Sequence, residues 1–218
     1  MLSNIIAICN QKGGVGKTTT AINLAAALAG AGKKILIIDL DPQGNASTGL
    51  GIDYANRDKS IYEVLASSIA FDESVSKTNL ENLFIIPSNV ELSGIEPELA
   101  NESDKAFVLK SLINNSNSIK TFDYIFIDCP PALSLLTVMA MTSANSVLVP
   151  LQCEFFALEG LSQLIKTVDR VQKNLNPSLS IDGIILTMFD KRNKLSTQVA
   201  MDVKKHLQEK VFETMIPR

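Results

Sequence analysis

The stretch Lys12-Gly13-Gly14-Val15-Gly16-Lys17-Thr18-Thr19 constrains this chain more than any other. An apolar run, Ile5-Ile6-Ala7-Ile8-Cys9, leads into it, and a helix-forming run from Ala21 to Ala29 leads out. Strand, glycine-rich loop and helix in that order make a phosphate-binding loop. The glycines let backbone N–H groups converge on phosphate oxygens with no Cβ in the way. The helix presents its unpaired N–H groups and positive dipole end to the same anion. Lys17 can then reach the β- and γ-phosphates of a nucleotide, and the Thr18 hydroxyl can hold Mg²⁺. A dinucleotide-binding fingerprint beginning at Gly14 fails, because it needs glycine where Thr19 stands.

Bulk properties agree with one α/β domain spanning residues 1–218, of which 46% are hydrophobic. Aromatic residues are few and tryptophan is absent, so Ile, Leu, Val and Ala do the packing, as strands buried on both faces require. Cys9, Cys129 and Cys153 are an odd number without C-x-x-C spacing, which predicts reduced thiols in a cytoplasmic protein. No basic n-region opens the chain, and no apolar run approaches the roughly 20 residues of a membrane span. The net charge of −3 argues against coating nucleic acid by bulk charge, but residues 187–218 alone carry +3. A basic end on an acidic body is a candidate nucleic-acid face, or simply a solvated helix face.

The apolar run Ile35-Leu36-Ile37-Ile38 reads as a central parallel strand, preceded by a helix ended by Gly30 and Gly32. It runs into Asp39-Leu40-Asp41-Pro42-Gln43-Gly44-Asn45. Two carboxylates two residues apart point the same way off a strand's end, at the edge where open α/β sheets bind ligands. They could hold Mg²⁺ through water or position an attacking water. Ser60-Ile61-Tyr62-Glu63 is a capping box, and Asn82 to Ser88 a strand ended by Pro87. A helix is expected over 98–114. Asp123 to Asp128 has the form of a Walker B strand, with Asp128 facing Thr18 across the Mg²⁺ and Cys129-Pro130-Pro131 stopping it. Strands follow over 146–150, 181–188 and 211–216, with helices over 158–175 and 195–208.

Two departures from the common phosphate-loop pattern carry a resemblance. Gln11 stands where the first glycine belongs, and a second lysine, Lys12, precedes Gly13-Gly14. K-G-G-x-x-K-[ST] resembles the deviant Walker A motif of the ParA/MinD superfamily. D-x-D-P-Q-G-N over residues 39–45 narrows it: the chain resembles the ParA/Soj family of plasmid and chromosome partitioning ATPases from about Asn4 to Arg218. The resemblance implies a doubly wound, mostly parallel P-loop sheet with helices on both faces. It implies ATP and Mg²⁺ as cofactors, with Lys12, Lys17 and Asp41 catalytic. ATP would be held by residues 12–19, and by Met188, Phe189 and Pro217 around the adenine. Thr18, Asp39 and Asp128 would form the Mg²⁺ shell. ATP would drive a homodimer in which each Lys12 reaches the other subunit's nucleotide. That dimer would bind DNA non-specifically through Arg192 and Arg218, helped by Lys191 and Lys194, on the nucleoid. A ParB-type centromere-binding partner would stimulate slow hydrolysis and release it.

Other functions share such a loop, and each asks for residues of its own. A membrane-cycling MinD-like ATPase needs a C-terminal amphipathic helix, and none is present by residue 218. An iron–sulfur reductase needs cysteines in glycine-rich loops, unlike Cys9 and Cys153. A hydrolysis-silent relative would have no use for Lys12, Lys17, Thr18, Asp41 and Asp128 together. The chain stops at Ile216-Pro217-Arg218, where the family would continue through a loop and a helix that help close the adenine pocket. The phosphate loop begins almost at once, so the operator-binding extension of larger partitioning ATPases is not expected.

Overall fold

The computed structural model describes residues 4–218. The phosphate loop lies between β1 (Asn4–Ile8) and α1 (Lys17–Gly30). Next come β2 (Ile35–Asp39), α2 (Asn45–Gly49), α3 (Ile61–Leu65), β3 (Ser76–Lys77), β4 (Leu83–Ile86), α4 (Ile95–Glu98) and α5 (Val108–Asn115). The rest of the chain holds β5 (Tyr124–Asp128), α6 (Leu135–Ser143), β6 (Ser146–Gln152), α7 (Ala157–Asn174), β7 (Ser180–Thr187) and α8 (Lys194–Leu207).

The described residues form one seven-stranded sheet in the order β3-β4-β2-β5-β1-β6-β7, parallel except for the short edge strand β3. The apolar runs of β1, β2 and β5 are central strands covered on both faces, which is why they read without alternation. On one face α1 lays Ala21, Ala25 and Ala29 against Ile6, Ile8, Ile35, Ile37 and Phe126. Alanines at i, i+4 and i+8 let that helix approach the strands closely. The other face is covered by α3 and α5–α8 around a larger core that includes Leu36, Ile38, Ile125 and Ile127. Helices on both faces of a parallel sheet make this the doubly wound α/β architecture expected from the sequence.

Register places the chemistry. Ile8 pairs with Asp128, and Asp128 pairs with Asp39, so three strands end level at one edge. The chain leaves β1 for β2 on one side of β5, and leaves β5 for β6 on the other side of β1. The phosphate loop therefore opens at the point where the strand order reverses, the ligand crevice of such sheets.

Three local expectations are corrected. The helix expected over 98–114 forms only from Val108, as α5: α4 has already ended at Glu98, and the polar run Asn101-Glu102-Ser103-Asp104 between them has no apolar stripe to bury. The strand expected over 211–216 makes only isolated bridges to β7 and its extension, Ile184 to Val211 and Phe189 to Pro217. The Phe212 ring lies against Gly183, and the backbone donates to Ile184 O from Phe212 N and to Leu186 O only from Ile216 N, so no regular ladder forms. Gly30 is the last residue of α1 rather than its cap, and Gly32 alone takes the left-handed turn, at φ 83°. Helix α6 and strand β3 are additional elements.

Candidate active site

The loop from Asn10 to Gly16 is held by its own side chains and by distant carbonyls. Asn10 Nδ2 donates to Pro150 O at 2.7 Å, and Asn10 Oδ1 accepts from Lys12 N at 3.0 Å. Gln11 Nε2 donates to Gly160 O and Gln163 Oε1 on α7. Thr187 Oγ1, at the end of β7, donates to Val15 O at 2.8 Å. Gly14 and Gly16 take φ of 74° and 88°, conformations that a side chain at either would strain. Among the described residues the N–H groups of Gly13, Gly14, Val15 and Gly16 donate to no protein group. Unpaired amides in a glycine turn that leads into a helix N-terminus form an anion cradle.

Two opposite charges are buried beside this cradle. Lys17 is 7% exposed; its Nζ donates to Lys12 O at 3.1 Å. Burial pushes its pKa down, opposed by the nearby charges of Asp128 and Asp41. Asp128 is fully buried, and neither carboxylate oxygen has a hydrogen-bond partner. Burial raises its pKa to about 7, with Asp39 adding repulsion, while the Thr18 hydroxyl stands near enough to pull the other way without a bond of normal geometry. An orphaned buried carboxylate next to a threonine hydroxyl and an anion cradle fits a hard cation bound between protein oxygens and phosphate.

Asp39 is equally buried but fully engaged. Its Oδ2 accepts from Ser47 N at 2.8 Å and Ser47 Oγ at 2.7 Å, and Oδ1 accepts from Asp41 N at 3.3 Å. Desolvation still raises its pKa to about 6 against those bonds. Asp39 thus ties the strand end to α2. Asp41, 7% exposed, accepts from Gln43 N at 3.0 Å through Oδ1, and its Oδ2 accepts nothing from the described residues. Lys17 feels the charges of both Asp128 and Asp41, and Asp128 those of Asp41 and Lys17, so the structure brings these three together.

The remaining candidates divide. Lys12 turns its ammonium to Glu154 Oε1 at 2.7 Å. Met188, at φ 50°, brings its methyl near Gly16. Phe189, Pro217, Lys191, Arg192 and Arg218 share the wall of one open cavity of about 940 Å³, whereas Lys194 lies outside it as the first residue of α8. Arg192 is engaged there by Asp190, whose carboxyl it holds down at about 2.

Residues that pattern reading did not single out complete the site. Arg57 is buried without a carboxylate partner among the described residues, and donates to Gly44 O, Ser88 O, Ile52 O and Thr48 Oγ1. It stitches the loop after Asp41 to the end of β4. Gly44, at φ 61°, leaves no room there: a Cβ would collide with Arg57 Nη1 and stand 3.1 Å from Ser88 O. Gly44→Ala is expected to cost about 2–4 kcal/mol, left-handed strain plus displacement of a buried guanidinium. Denaturant unfolding checks this, and a loss below about 0.5 kcal/mol would show that the loop relaxes freely.

These features define a P-loop ATPase domain of the deviant Walker A kind. A family model described as an AAA domain matches residues 3–181. The chain is 51% identical over 214 residues to the chromosome partitioning protein ParA of Caulobacter vibrioides, covering 98% of this chain and 80% of that one. It is 48% identical over 217 residues to the sporulation initiation inhibitor protein Soj of Bacillus subtilis, covering 100% and 85%. A Mycobacterium smegmatis structure described as cobyrinic acid a,c-diamide synthase with bound ATP analogue and magnesium superposes with a TM-score of 0.92 at 36% identity, over 99% of this chain and 87% of that one. The chain belongs to the ParA/Soj family of chromosome-partitioning ATPases. No helix among the described residues is long and apolar enough to cross a membrane.

Proposed function

We propose that this chain is a Mg²⁺-dependent ATPase whose nucleotide state switches non-specific DNA binding during chromosome or plasmid segregation. The observation that carries the hydrolytic part is the orphaned Asp128 carboxylate facing Thr18 and Lys17 across the glycine turn. In this reading the loop amides and the Lys17 ammonium bind the β- and γ-phosphates, and Thr18 with Asp128 holds the cation. Mg²⁺, when bound, neutralises phosphate charge and fixes the geometry of the transferring group. Asp41 orients the attacking water and accepts its proton at Oδ2, the oxygen left free by the bond from Gln43. Asp39 holds the Asp41 loop through Ser47 and excludes water from beneath it. Catalysis is then positioning and charge neutralisation, in keeping with a slow switch.

The dimer, DNA and partner parts rest on family membership and on the charge layout. ATP brings two subunits together, with Lys12 of each reaching the other's nucleotide. Lys191, Arg192 and Arg218 gather around one cavity at the basic end of the chain, and Lys194 extends that edge. Met188 stands beside Gly16 of the phosphate loop, with Phe189 bridged to Pro217 next to it, and the adenine is accommodated there. A ParB-type protein at a centromere-like site accelerates hydrolysis and releases the DNA. Nothing in this cycle needs a membrane, and it belongs in the cytoplasm, on the nucleoid.

A salt-titrated DNA-binding assay tests the switch. With ATP, binding is expected to be blind to sequence and to weaken steeply with salt. Arg192→Ala is expected to lower the slope of log affinity against log salt by about one unit per subunit. Equal and negligible binding with ATP, ADP and no nucleotide would sink the DNA part of the reading.

A further inference from the structure

Lys12 is the side chain that the proposed dimer sends across to another subunit, yet here it is paired inside its own. Its Nζ lies 2.7 Å from Glu154 Oε1, in the connection between β6 and α7, and 142 residues away in sequence. Both backbones are fixed. Lys12 N donates to Asn10, and Lys12 O accepts from Lys17 Nζ. Glu154 N donates to Gln152 O, and Glu154 O accepts from Ala157 N, both at 2.9 Å. Only the two side chains are free to part. Their side chains are 40% and 37% exposed, and such pairs hold by roughly two- to fivefold at most. A triphosphate offers a lysine far more negative charge than one carboxylate. The contact is thus strong enough to bias Lys12 and weak enough to yield.

The surroundings mark this as a face that meets something. Phe155 and Phe156, next to Glu154, are 74% and 64% exposed and pack edge to face on each other, with ring centroids 5.1 Å apart. Two adjacent exposed phenylalanines at the rim of a nucleotide site gain most when a second surface covers them.

We propose that Glu154 is a positioning residue that holds Lys12 back in the single subunit and releases it when a second copy brings its nucleotide. The proposal rests on the dimer reading above. Glu154 sets the protein concentration at which ATP drives association: the ion pair must break before Lys12 can cross.

The test uses the whole chain in two measurements. In the first, nucleotide-free protein at low concentration is treated with a limiting amine-reactive ester, and acylation at Lys12 is compared by peptide mass spectrometry with acylation at exposed Lys33. Glu154→Gln and Glu154→Asp are each expected to raise the Lys12 to Lys33 ratio about two- to fivefold, since a lysine freed from its carboxylate is more reactive. In the second, the ATP-dependent association midpoint is expected to fall by the same factor in Glu154→Gln. An unchanged labelling ratio in both variants overturns the proposal, as does raised labelling with an unchanged or higher midpoint. Failure of the unsubstituted protein to associate with ATP at any concentration overturns the dimer reading and with it the release step, whatever the labelling.

Discussion

Asp41→Ala is expected to slow ATP hydrolysis by about 10²–10⁴-fold while leaving ATP affinity within about threefold, the usual size of a positioned general base. The reason lies in how the carboxylate is held. Asp41 Oδ1 accepts from Gln43 N, which fixes the plane of the group, and Oδ2 accepts nothing from the described residues. Its backbone N–H in turn donates to buried Asp39, itself bound to Ser47. A carboxylate so fixed offers one free oxygen in one direction, as orientation of a water requires. Ground-state phosphate binding draws instead on Lys17 and the loop amides, to which Asp41 makes no hydrogen bond. Single-turnover hydrolysis and equilibrium nucleotide binding on the same protein separate the two effects. An affinity that fell in step with the rate would make Asp41 a binding group. An undiminished rate would mean that the water is oriented elsewhere. In the proposed cycle the variant stays loaded with ATP and on DNA, so its DNA affinity should persist long after the unsubstituted protein has let go.

The central sheet and the phosphate loop were legible because each announces itself locally. Strands β1, β2 and β5 are buried on both faces, so their apolar runs are unbroken, and the loop's glycines and lysines sit at fixed offsets between a strand and a helix. The capping box at Ser60 and Glu63 is a local device too, and it forms as read. Helix α6 had no such signal: Leu136, Thr137 and Met139 through Ser143 are all buried, so no polar face gives it a period. The segment 211–216 holds enough strand formers, Val211, Phe212, Thr214 and Ile216, to read as a strand, but its pairing is decided by Phe212 lying on Gly183, a contact between distant parts of the chain. Arg57 and Glu154 were silent for the same reason. Each matters through partners far away in sequence: Arg57 through Ser88 O, Glu154 through Lys12. Lys12 itself was found by motif, whereas its resting partner became visible only when β6 was laid beside β1.

Asp128→Asn is expected to stabilise the nucleotide-free protein at pH 8 by about 2 kcal/mol while abolishing Mg²⁺-dependent hydrolysis, because a buried carboxylate without partners costs stability that only a ligand repays. The pH dependence gives the sign. Asp128 rises from an ordinary carboxylate value to about 7 and Asp39 to about 6 in the folded chain, so the folded state binds more protons than the unfolded one between about pH 4 and 7. The stability these groups confer is complete below the unfolded value and is lost as pH rises through 6 and 7. At about 1.4 kcal/mol per unit, the nucleotide-free protein should lose roughly 2–3 kcal/mol between pH 5.5 and 8 on their account, and Asp128→Asn should remove most of that slope. Mg²⁺ with nucleotide reverses the order. Asp128 must be ionised to hold the cation, so the affinity of the unsubstituted protein should climb as pH rises through 7, and ligand binding should raise its stability by mass action. The variant should gain little from Mg²⁺ at any pH. Denaturant unfolding at pH 5.5 and 8, with and without Mg²⁺ and a non-hydrolysable ATP analogue, reads all of this in one series. A variant less stable than the unsubstituted protein at pH 8 without ligand would show that Asp128 is satisfied inside the apo fold, and the argument for a cation opposite Thr18 would lose its main support.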